Sequence, residues 1–172
     1  MHSTPPAADP PAETVIDVAD ESALAPLAAR LVAALPRRML LAVTGDLGAG
    51  KTTFIKAVAA ACGLDPAEVI SPTFGLIHEY LLPERPGLPE RLIHADLYRL
   101  TGSDELAETG WEDATAGDCW VFLEWPERIA AALPAERIDL AIEIVGRSAR
   151  RFHFRGRGTA ATAAVRAVVS DA

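Results

Sequence analysis

Apolar positions along the chain switch between a period of two and a period of about 3.6, and each switch marks an element. Val15, Ile16 and Val18 predict a short strand. Leu24, Leu27, Leu31 and Leu35 then recur at helical spacing, with Asp20 or Ser22 as cap, Pro26 in or near the first turn and Pro36 as the stop. Met39 to Val43 is continuously apolar, the pattern of a strand covered on both faces in a parallel sheet. Phe54, Ile55, Val58 and Ala59 predict a helix from about Lys51 to Cys62, closed by Gly63. Residues 91–98 read as a strand ending in Asp96, and residues 119–125 as an apolar strand ending in Glu124. Between them SDELAETG predicts a short helix capped by Ser103 and anchored by Leu106. ERIAAALP predicts a further helix, residues 139–146 a strand, and RRFHFRG its antiparallel partner.

Strands alternating with helices predict an α/β fold with helices on both faces of its sheet. The boundaries expected are a disordered, Pro- and Ala-rich leader over 1–12, one domain over 13–156, and a weak helix or frayed tail over 157–172. SPTFGLIHEYLL mixes turn and strand signals, and PERPGLPE (83–90) reads as an exposed loop.

Composition narrows the class. The 172 residues suit one domain, and half of them are hydrophobic. No apolar run approaches the ~20 residues of a membrane span, and no secretory signal opens the chain, so a cytoplasmic protein is expected. Cys62 and Cys119 form no metal-type pair and read as buried thiols. The formal net charge is −8, yet from Gly146 onward six arginines stand against Asp171. The strongly acidic remainder argues against a large nucleic-acid groove, while the basic end leaves open contact with ATP, nucleic acid or an acidic partner.

GDLGAGKT, from Gly45 to Thr52, satisfies the pattern GxxxxGK[ST] between a buried strand and an amphipathic helix. Gly45, Gly48 and Gly50 let the backbone turn its N–H groups inward as an anion nest. Lys51 supplies a charge to β- and γ-phosphates and Thr52 a hydroxyl to Mg²⁺. The expected fold is therefore the three-layer P-loop NTPase type, a mostly parallel central sheet with antiparallel edge strands. The chain has no asparagine, so the Asn-Lys-x-Asp segment that reads guanine cannot exist, and ATP is the expected nucleotide. It has no glutamine to orient an attacking water. Asp96 and Glu124 both end strands, where one acid would hold Mg²⁺ and the other orient a water; spacing does not say which. Ser71 and Thr73 lie where switch-type hydroxyls are found.

Taken in order, GDLGAGKTTF, SPTF, HADLYRL and LEWPER resemble the bacterial TsaE family, also called YjeE, over roughly Ala19 to Phe154. The resemblance implies an ATPase that works with the TsaD and TsaB proteins to form threonylcarbamoyladenosine at position 37 of ANN-decoding tRNAs, touching tRNA only through that complex. It implies that Gly48, Ala49, Gly50, Lys51, Thr52 and Thr53 wrap the phosphates, that Thr52 and Glu124 ligate Mg²⁺, and that Asp96 serves hydrolysis. It also places Trp125, Glu21 and Arg147 at the nucleotide. The chain departs from the family's commonest pattern in its leader, in Phe74 where tyrosine is frequent, and in the 83–90 loop. The readings weighed are an ATPase subunit, slow alone and stimulated by its partners, a small-molecule kinase, and a nucleotide-sensing module without turnover.

Overall fold

The computed structural model describes residues 12–72, 76–101 and 103–170. The expected leader lies outside these residues except for Ala12, whose carbonyl accepts from Gly156 N–H at 2.9 Å. Thr73 and Phe74 of the SPTF segment, and the side chain of the expected cap Ser103, also lie outside them.

Seven strands form one sheet among the described residues: β1 (Glu13–Val18), β2 (Met39–Thr44), β3 (Ile77–Leu81), β4 (Arg91–Asp96), β5 (Cys119–Glu124), β6 (Arg137–Ile144) and β7 (Arg150–Arg157). Their order is β1-β7-β6-β2-β5-β4-β3. The inner strands β6, β2, β5 and β4 run parallel, while β7, β1 and β3 pair antiparallel to their neighbours. β2 from Met39 to Val43 and β5 from Cys119 to Leu123 are continuously apolar because both their faces are covered, which is why neither alternates in sequence.

The two faces are covered unequally. On one lie α1 (Leu24–Ala34), α2 (Lys51–Cys62) and α4 (Thr159–Ser170), which with Leu41, Val43, Trp120, Phe122 and Phe152 make the larger core. On the other lie two 3₁₀ segments, Ser103–Thr109 and Pro126–Ala132, and the four-residue α3 (Trp111–Ala114), over Leu40, Ala42, Ile93, Val121 and Leu123. The helices expected at SDELAETG and ERIAAALP are thus 3₁₀ turns, the second kinked at Ile129. Leu106 is buried in the first, and Pro126 and Ile129 in the second, too few to anchor a full α-helical face.

The end expected to be a weak helix or a frayed tail is a twelve-residue helix. Ala161, Val165 and Val168 are fully buried, and Glu136 Oε1 accepts the Ala161 N–H at 2.7 Å, satisfying a first-turn donor. The basic end is also structural. Arg151 pairs with Asp17 at 2.7 Å and Arg155 with Glu13 at 3.1 Å, while Arg157 donates to Asp139. Three of the six arginines therefore meet acids of β1 and β6 across the β1–β7–β6 ladder.

Candidate functional site

β2 ends against β5 and β6, and the chain then turns from Gly45 to Gly50 into α2. Gly48 and Gly50 hold φ of 82° and 97°, a left-handed backbone that side chains resist, and a β-carbon on either would meet no atom within 4 Å. They are needed for the path of the loop, and the space above it is open. At Gly45 the reason is crowding, because a β-carbon there would lie 2.6 Å from Ile142 O. Ala49 N–H closes back onto Asp46 O at 3.0 Å, and the ladder of α2 begins with Phe54 N–H on Gly50 O at 2.9 Å. The N–H groups from Gly50 to Thr53 have no protein acceptor among the described residues, and Gly50 as N-cap offers no side chain to them. The result is a row of donors at the positive end of a twelve-residue helix, suited to an anion.

Lys51 is only 6% exposed. Its Nζ donates to Gly45 O at 2.7 Å and Asp46 O at 3.2 Å and sits 4.7 Å from the centre of the Trp125 ring. Trp125 has φ 60° and ψ 50°, a left-handed conformation rare for a bulky residue, just before Pro126 starts the next turn. Tyr98 tilts against its ring at 5.0 Å between centroids. Backbone strain of this kind gathers where a side chain must be held at one place.

The two strand-end acids stand side by side, Asp96 of β4 opposite Glu124 of β5 in a parallel register. Their environments differ. Glu124 is buried, and its Oε1 accepts from Thr52 Oγ1 at 2.9 Å and from His94 Nε2 at 2.8 Å. His94 is wholly buried, and its Nδ1 has no hydrogen-bond partner. With Nε2–H donating to the carboxylate, Nδ1 is left buried and without a partner among the described residues. Asp96 is half-buried and accepts the Tyr98 N–H at 3.0 Å. Burial raises its pKa above the ordinary carboxylate value, and the Glu124 charge adds to this, against the Tyr98 N–H, His94 and Lys51.

Beside the loop opens a cleft of about 280 Å³ lined by Glu21, Gly48, Ala49, Gly50, Thr53 and Arg147, with Leu24 and Phe152 among its apolar walls. The structure thus separates the expected residues into two neighbouring groups. Lys51, Thr52, Glu124, Asp96 and Trp125 gather at the strand ends, and Glu21 and Arg147 stand across the cleft. A larger groove of about 610 Å³ runs between Arg37 and residues 81–90. There Arg85 donates to Cys62 O at the C-terminal end of α2, where the helix dipole favours cations and not phosphates.

Sequence reasoning gave no role to His94 or Tyr98. His94 carried one signal, a polar residue on the same strand face as Leu92 and Asp96, but nothing to name its partner across the sheet.

The residues present fit a nucleotide and its metal. The free N–H row suits phosphate oxygens. Thr52 Oγ1 and a Glu124 carboxylate whose Oε1 is held by two donors suit one Mg²⁺. Among the described residues no group of three or more His, Cys, Asp or Glu side chains could hold a metal alone. Mg²⁺ that takes most of its ligands from phosphates and water needs no such cage.

The family model for "Threonylcarbamoyl adenosine biosynthesis protein TsaE" matches residues 18–152. A Bacillus subtilis protein named tRNA threonylcarbamoyladenosine biosynthesis protein TsaE is 37% identical over 122 residues, 69% of this chain and 70% of that one. Its namesake in Mycobacterium bovis is 35% identical over 117 residues, 65% of this chain and 68% of that one. The crystal structure of Bacillus subtilis YdiB superposes with a TM-score of 0.70 at 26% identity, covering 92% of this chain and 95% of that one. With its glycine loop, paired strand-end acids and matched span, the chain belongs to the TsaE family of tRNA threonylcarbamoyladenosine biosynthesis proteins.

Proposed function

We propose that this chain is a P-loop NTPase, the Mg-dependent, ATP-binding and ATP-hydrolysing subunit that acts with TsaD and TsaB to form threonylcarbamoyladenosine at position 37 of ANN-decoding tRNAs. The observation that carries the proposal is the row of N–H groups from Gly50 to Thr53, without acceptors among the described residues, set beside Lys51 and the Thr52–Glu124 pair. The N–H row orients the phosphates. Lys51 exchanges the carbonyls of Gly45 and Asp46 for phosphate oxygens, moving a short distance from a prepared position. Thr52 and Glu124 hold Mg²⁺, which neutralises charge on the phosphate oxygens when bound. His94 keeps the Glu124 carboxylate turned toward Thr52. Asp96, raised in pKa and less buried than Glu124, accepts a hydrogen bond from the attacking water. The cleft between Glu21 and Arg147 takes the nucleoside.

Two features support slow turnover in isolation. No glutamine positions the water. Arg150, which touches the loop, spends its donors on backbone carbonyls and not on the open face of the loop. A supplied arginine contributes on the order of 10³–10⁵ in rate at P-loop sites that rely on a partner. Steady-state phosphate release is to be measured on the purified chain, then with TsaD–TsaB titrated in. Slow release that rises with the partners is expected. Brisk release that the partners leave unchanged would reject the coupled-subunit reading.

A further inference from the structure

Turning the N–H groups of the loop inward leaves its carbonyls facing outward, and each needs a donor. Gly45 O and Asp46 O take Lys51 Nζ, and Gly50 O takes Phe54 N–H. Gly48 O and Ala49 O, at the tip, take Arg150, with Nη2 donating to Gly48 O at 3.3 Å and Nε to Ala49 O at 3.0 Å. The third nitrogen, Nη1, donates to Gly146 O at 3.2 Å and Ala149 O at 2.9 Å, both on the turn between β6 and β7. One guanidinium thus joins four carbonyls from two segments that lie 101 residues apart at the Ala49 contact. The same turn carries Arg147 and Ser148 to the wall of the cleft.

From this arrangement we infer that Arg150 is a positioning residue that fixes the tip of the phosphate loop in its anion-binding shape and fastens it to the β6–β7 turn. The inference deepens the reading of this loop as a nucleotide-phosphate site and rests on it. The Ala49 carbonyl belongs to the same peptide unit as the Gly50 N–H, so a cation on it polarises the first donor of the row as well as fixing it. Lys51 does not fill this role, because its Nζ reaches Gly45 O and Asp46 O and not the carbonyls at the tip. Arg150 is the contact that remains. A lysine in its place would present one nitrogen where three are used, in fixed directions, by the planar fork. Nor is Arg150 placed to complete the catalytic site, because reaching a γ-phosphate would take the guanidinium from Gly48 O, Ala49 O and Gly146 O as well as from Ala149 O, which also accepts the Val145 N–H at 3.3 Å.

The test compares Arg150→Ala, Arg150→Lys and the parent in three measurements. Calorimetry with Mg-ADP and Mg-ATP should show both nucleotides weakened about tenfold or more in each variant, since both present a β-phosphate to the loop. Phosphate release at saturating ATP should change far less than KM. Hydrogen exchange without nucleotide should quicken about tenfold in peptides spanning 45–53, beyond any change in global stability. Unchanged affinity with turnover lowered on the order of 10³-fold would make Arg150 a catalytic group and overturn the inference. A lower Tm with unchanged local exchange in 45–53 would reduce it to general packing, and full rescue by lysine would overturn the geometric argument. If the parent binds neither nucleotide, the nucleotide reading fails, while the exchange comparison still decides the role of Arg150.

Discussion

At the scale of single residues, burial and partners separate side chains that the sequence leaves equivalent. The motif singles out Lys51, and its tether to the carbonyls of Gly45 and Asp46 places the ammonium at the loop. Lys51→Ala should weaken Mg-ATP binding by about 1.5–3 kcal/mol, roughly ten- to over a hundredfold, as calorimetry would show. Asp96 and Glu124 looked alike in sequence because both end apolar strands. What distinguishes them is a neighbour from another element, Thr52 of α2 for Glu124, and such a pairing of residues 72 apart has no local pattern. Glu124→Ala should weaken Mg-dependent binding, whereas Asp96→Ala should leave binding largely intact and lower turnover. Paired binding and phosphate-release assays giving the reverse would exchange the two roles. Asp96 also makes a prediction about pH. Its pKa is raised in the folded chain, so ionisation costs stability above that pKa, and the cost fades as pH falls toward the unfolded carboxylate value. Asp96→Asn keeps an acceptor for Tyr98 N–H and removes the charge. It should therefore raise Tm at neutral pH, with the difference from the parent closing in acid, while turnover falls. An equal or lower Tm at neutral pH would show that the site imposes no such cost.

At the scale of elements, legibility followed the length and regularity of the apolar pattern. α1, α2, β2 and β5 were readable because each presents a long periodic or continuous apolar run. The segments 103–109 and 126–132 carry helix-favouring residues, but Leu106 is the buried anchor of the first and Pro126 and Ile129 of the second, and so each settles as 3₁₀ turns. α4 was undervalued for the opposite reason. Alanine and valine give it a weak pattern on paper, yet small residues are what its position requires. Gly156 of β7 passes so close beneath it that a β-carbon would lie 2.6 Å from Ala161 O and from the Thr162 backbone. Helix backbone cannot swing aside as a side-chain tip can. Gly156→Ala should therefore destabilise the fold by about 1–3 kcal/mol, seen as an earlier midpoint in urea unfolding with an unchanged slope. A neutral result would mean that α4 is not held against β7 as described.

The whole molecule is asymmetric, and the asymmetry bears on the site. One face of the sheet is sealed by three full helices, with four buried residues in α1 and six in α2. The other is covered by short turns with few anchors, and α3 contributes no buried residue. Asp96 and Glu124 stand at the ends of β4 and β5, where the chain leaves the sheet for that thinner layer through Leu97 to Leu100 and through Trp125 and Pro126. The glycine loop, by contrast, leads into α2 on the sealed face. A sequence pattern shows that a segment is apolar, and it does not show how thickly the opposite face is covered, so this division appears only in three dimensions. Local opening is least costly where few apolar contacts and few regular hydrogen bonds must be broken. Native-state hydrogen exchange should then find amides of 105–114 and 126–132 opening at free energies well below the global value. Those of α1, α2 and β2 should approach it. Saturation with Mg-ATP should slow exchange in 126–132, because Trp125 touches Lys51 and Pro126 follows it directly, and should slow 105–114 less. If every segment instead exchanges only through global unfolding, the thin layer is as firmly held as the helical one. The site would then have to respond to nucleotide through its side chains alone.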